Sequence, residues 1–144
     1  MEQIKLAFSR AISYCLAALI ALLSIGPFAP RVTVQEPVTT QSKFLIYEVR
    51  AVALMGEPIH FQLEQEQDGK WIRLEIRPDY AVYGEGVRTI PLIEPYRKAI
   101  FLEGAFGHRL TCGRYRLTIY ESWDYSTVGS VCFSVTESSD NQNP

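Results

Sequence analysis

Three cysteines and two histidines are the whole stock of thiols and imidazoles in this 144-residue chain. Cys15, Cys112 and Cys132 form no C-x-x-C pair, and His60 and His108 lie in separate segments. That leaves no metal-ligand spacing and no Cys/His nucleophile pair. No nucleophile-elbow motif occurs either. The acidic residues Asp79, Glu85 and Asp124 stand in different turns, whereas a calcium site wants several oxygen ligands in one short loop. The expectation is therefore no catalytic residues, no cofactor, no metal and no enzyme activity. A net charge of −2 argues against a field-driven nucleic-acid binder.

The residues that stand out are aromatic. Trp71 falls on the polar side of an alternating segment, Tyr80 and Tyr83 share one loop, and Trp123 and Tyr125 share another with Tyr120 beside them. Large rings on loops are frequent anchors for a partner. The five candidates for partner binding are Trp71, Tyr80, Tyr83, Trp123 and Tyr125. The alternative is that they cap the ends of a small fold or cover Arg and Glu stems.

The elements that would carry these side chains read as strands. Beyond Arg31 the apolar residues alternate and show no helical period. Candidate strands cover residues 32–38, with Pro37 placing that one at an edge, and then 43–52, 57–66, 70–77, 87–93, 97–103, 114–121 and 128–136. Asp68-Gly69 is the signature of a two-residue type I′ hairpin. Such a turn pairs positions summing to 137, so Phe61 faces Ile76 and Leu63 faces Leu74 on one side, and Glu64 faces Arg73 on the other. Seven to eight short strands, each with one apolar face, predict an all-β sandwich over residues 31–137. Residues 138–144 read as a disordered polar tail.

The first thirty residues read differently. Lys5 and Arg10 precede a fifteen-residue stretch without charge, AISYCLAALIALLSI, which Gly26, Pro27 and Pro30 end. As a hydrophobic helix it would span roughly 22 Å, short of a hydrocarbon core of roughly 30 Å. The pattern predicts export, with residues 1–30 as a signal peptide or an uncleaved membrane anchor through residues 11–25. The protein would then be secreted or held at the outer face of the cytoplasmic membrane. Taking Lys5, Arg10 and Glu2 away leaves 12 basic and 15 acidic residues, net −3, with Cys112 and Cys132 as an even pair. In an exported domain such a pair suggests one disulfide. Closing a loop of about twenty residues would contribute roughly 3 kcal/mol. Two free thiols is the alternative.

Several motifs occur in a recognisable order: GEPIHFQLEQEQDGKW at residues 56–71, LIEPYRKAIFLE at 92–103, LTCGRYRLTIY at 110–120 and VCFSV at 131–135. Together they resemble the bacterial immunoglobulin-like domains of exported and membrane-anchored proteins. Tyr96 departs from that pattern, standing where a turn glycine usually follows the proline. The resemblance implies an immunoglobulin-like β-sandwich and a non-catalytic role in binding a protein or cell-envelope partner. It carries no catalytic residues. A proteinase-inhibitor-like domain is the second reading, with residues 80–87 as the protruding loop. Tyr115, in Gly113-Arg114-Tyr115, is expected to form a tyrosine corner or to serve as an ordinary core aromatic.

Overall fold

The computed structural model describes residues 14, 18, 29–50, 59–80, 95–121 and 125–138. Two antiparallel-dominated sheets pack face to face. One holds three strands in the order β1-β3-β6, namely β1 (Arg31–Val34), β3 (Phe44–Arg50) and β6 (Tyr96–Phe101). The other holds five in the order β2-β8-β7-β4-β5: β2 (Val38–Thr39), β8 (Thr127–Thr136), β7 (Gly113–Tyr120), β4 (His60–Gln67) and β5 (Lys70–Arg73). The expected all-β sandwich is therefore present. The 1–30 segment, apart from Tyr14, Ala18, Ala29 and Pro30, lies outside the described residues, as do the 87–93 strand and most of the 138–144 tail. Among the described residues no helix is long and apolar enough to cross a membrane.

Alternation drives the packing. Leu45, Tyr47 and Val49 of β3 are fully buried, and Leu63, Leu117 and Ile119 meet them from the five-stranded sheet's inner face. Tyr115 and Phe133 stack with centroids 5.7 Å apart. A single helical turn, α1 (Leu102–Phe106), follows β6 and buries Leu102, Ala105 and Phe106 at one end of the core. The sequence suggested strand to residue 103 and a connection afterwards. The period was too short to read, and Gly107 (φ 78) ends the turn in the left-handed conformation, its N–H bonded to Glu103.

The hairpin forms in the expected register. Asp68 and Gly69 have φ of 51° and 75°, and Glu64 pairs with Arg73 and Gln67 with Lys70. β5 is shorter than expected, ending at Arg73 rather than residue 77. Leu74 still donates to Leu63 O at 2.9 Å, after which the chain turns to bring Arg77 N to Ala105 O at 2.7 Å. The expected 32–38 strand is divided between the two sheets. β1 pairs antiparallel with β3, whereas β2 pairs parallel with β8, and the cis Glu36–Pro37 bond lies between them. Pro37 lacks an N–H and cannot continue a ladder, so the chain changes sheets there.

Candidate functional site

The outer face of the five-stranded sheet is set out in rows by its register. Glu66 of β4 lies beside Trp71 of β5, and Glu64 lies between Arg73 and Arg116. Arg116 in turn faces Cys132 of β8. Two arginines are neutralised on this face. Arg116 Nε donates to Glu64 Oε2 at 2.7 Å, and Arg114 pairs with Glu66 at 2.9 Å. The Arg116 hydrogen bond holds the Glu64 carboxyl below its ordinary value of 4.5, against the opposing effect of burial. Arg116 is raised by the same bond. Its guanidinium also sits 4.7 Å from the Trp71 ring centre, so one face of that ring is already covered within the domain.

A concave site opens where β5 stops. Its last ladder pair is Glu64–Arg73, while β4 reaches back to His60 and pairs there with Tyr120 of β7. The stretch of β4 beyond that last pair borders a cavity of about 350 Å³, lined among the described residues by His60, Phe61, Gln62, Arg73, Ile76, Tyr120 and Tyr125. Tyr125 stands at its mouth, 63% exposed, with its ring stacked on His60 at 4.5 Å between centroids. Its φ of 58° is left-handed, a conformation a bulky residue rarely adopts. A register shift between Ile119 and Tyr120 enters this loop, and Ser126 Oγ donates to Glu121 Oε1 at 2.8 Å across its base.

The three described aromatic candidates, Trp71, Tyr80 and Tyr125, do not share one place. Tyr125 lines the cleft. Trp71 sits beside Glu66, six residues along β4 from His60, which is roughly 20 Å at 3.3 Å per residue. Tyr80 packs edge-on against Phe61 at 6.2 Å and is only partly buried against the core, so it supports the cleft's inner wall. Tyr83 and Trp123 lie outside the described residues, as does nearly all of the 80–87 loop. His60, Gln62, Arg73 and Tyr120 carry no sequence signal that marks them as a site. The outward parity of His60 and Tyr120 was legible, but their adjacency needs the β4–β7 pairing, which joins strands distant in sequence.

The expected disulfide is corrected by the register. Cys112 and Cys132 are both free and exposed. Cys132 faces Arg116, and Gly113 faces Val135, so Cys112, one residue ahead of β7, stands four residues from Cys132's partner. That offset is roughly 13 Å of strand, beyond the reach of a disulfide. Shared parity put both thiols on one side but could not fix their separation. His108 Nδ1 contacts Arg109 O at 2.7 Å, remote from His60 in the fold's connections. Asp79 is held below its usual carboxyl range by the Arg77 guanidinium, which grips both its oxygens. Glu85 and Asp124 lie outside the described residues. No family model, curated protein or solved structure matches the chain.

Proposed function

We propose that the chain is an exported, non-catalytic immunoglobulin-like module that binds a protein or cell-envelope partner. The immunoglobulin-like reading is supported by the strand order, in which the first strand region leaves the three-stranded sheet to run parallel with the last strand of the other. A tyrosine corner supports it too: Tyr115 Oη, from the start of β7, donates at 2.9 Å to the O of Thr111, just ahead of that strand. The basic start and charge-free stretch of residues 1–30 support export, with secretion or anchoring at the outer face of the membrane as its two outcomes.

The observation that carries the binding reading is Tyr125, a large exposed ring held in a left-handed conformation over an open cleft. Such rings supply contact area at little entropic cost, and a central one often dominates an interface. The test is capture from envelope extracts on immobilised full-length protein and on its Tyr125→Ala variant. Loss of at least about tenfold in retained partner, equivalent to about 1.4 kcal/mol, is expected for the variant. Equal retention by two variants with the same urea midpoint as the parent would remove the cleft from the interface: Tyr125→Ala and Gln62→Ala.

A further inference from the structure

We infer that the cleft beside Tyr125 accepts a peptide carboxylate next to an aromatic or apolar side chain. This rests on the cleft being the binding place and adds the chemistry of what enters it.

Charge is the first argument. Three arginines line the outer rows of β5 and β7, and two are spoken for, Arg114 by Glu66 and Arg116 by Glu64. Arg73 makes no ion pair within bonding distance among the described residues; its charge adds to the pull on Glu64, but that carboxylate is already hydrogen-bonded to Arg116, and Arg73 borders the cleft. Among the described residues no carboxylate lines the cleft with it. One carboxylate between two guanidiniums leaves a net positive charge, and an exposed guanidinium fork with no ion pair of its own suits a second carboxylate, which it grips through two parallel hydrogen bonds. Tyr120 and Tyr125 carry hydroxyl donors among the lining residues, and Gln62 carries an amide that also hydrogen-bonds Glu64.

Size and wall chemistry supply the rest. A cavity of about 350 Å³ is at the small end of ligand pockets and admits one or two side chains rather than a folded surface. Phe61 and Ile76 close the inner side with hydrocarbon, and the Tyr125–His60 stack offers a ring face at the mouth. A sugar would want acidic acceptors for its hydroxyls, and among the described residues none lines the cleft. A ring or aliphatic group beside a carboxylate matches both the apolar wall and the Arg73 guanidinium at its border.

The test is an NMR titration of the full-length chain, following backbone amides of Gln62, Arg73 and Tyr120. The probes are N-acetyl-phenylalanine, its neutral amide, the blocked dipeptide Ac-Phe-Glu-NH2, and glucuronate. At least one of the two carboxylate peptides should bind about tenfold more tightly than the neutral amide, and the tighter one tells a chain terminus from an acidic side chain. Arg73→Gln should abolish that preference without changing amide binding, whereas Tyr125→Ala should weaken every peptide probe. Equal binding of acid and amide at the cleft overturns the carboxylate inference and leaves the cleft as the binding place. A preference that survives Arg73→Gln, or glucuronate shifting these amides as strongly as the peptides, overturns it also. Absence of any shift, alongside Tyr125-dependent capture of a partner, overturns the inference while the broader reading stands.

Discussion

Tyr115 shows how one hydroxyl can serve both packing and polarity. Its ring is buried against Phe133, and its Oη reaches Thr111 O at 2.9 Å and Thr111 Oγ1 at 3.1 Å, with Gln65 Nε2 donating to that same Oγ1. Tyr115→Phe keeps the ring and removes the bond, so a loss of about 1 kcal/mol in urea unfolding is expected. The two sequence-based alternatives for this residue, corner and core aromatic, are thus both realised. Glu64 gives a pH-dependent counterpart. Its carboxyl is lowered below 4.5 chiefly by the Arg116 hydrogen bond. A carboxyl lowered on folding stabilises fully above its unfolded value, and that contribution disappears as pH falls through the folded value. Stability should therefore decline on acidification below about pH 4.5, and Glu64→Gln should flatten that decline in urea midpoints measured from pH 6 to pH 3. An unchanged slope would assign the decline to other carboxyls.

At the scale of elements, the hairpin and the cysteine pair mark the boundary of what sequence discloses. Asp68-Gly69 specifies its own turn, and the turn fixes the register of both strands. The structure reproduces Glu64 opposite Arg73. A Cβ on Gly69 would meet nothing within 4 Å, so Gly69→Ala tests backbone conformation alone. It should destabilise by about 1 kcal/mol, because φ near 75° is left-handed. A neutral result in urea unfolding would mean that the turn changes type without cost. No comparable signal fixes β7 against β8. The connection has no two-residue turn, and the ladder carries a shift between Ile119 and Tyr120. Parity survived that ambiguity but separation did not, which is why Cys112 and Cys132 seemed able to meet. α1 was hidden for a different reason, since one helical turn contributes too few residues to display a period.

Across the whole molecule, the apolar alternation was enough to read two sheets enclosing one core. Leu117 lies at its centre, fully buried between Leu63 and Val131 in the rows of the sheet. Leu117→Ala should cost about 2–5 kcal/mol while leaving the denaturant slope unchanged, as expected for a cavity in a core that unfolds as one unit. A split transition would show that the two sheets come apart separately. The candidate site was less legible because it is a product of tertiary pairing. Tyr125 was recognisable as an exposed ring, but the cleft beneath it exists only because β5 ends early and β4 continues to His60. The strap that changes sheets also has a mechanical meaning. Val38 and Thr39 lie parallel to Val135 and Thr136, and Thr40 N reaches Thr136 O at 2.9 Å. Tension drawn from the residues just before β2 and from the end of β8 would pull these two segments in opposite directions along their common axis. Their hydrogen bonds are then loaded together in shear instead of being opened one after another, so this small patch acts as a clamp against stretching.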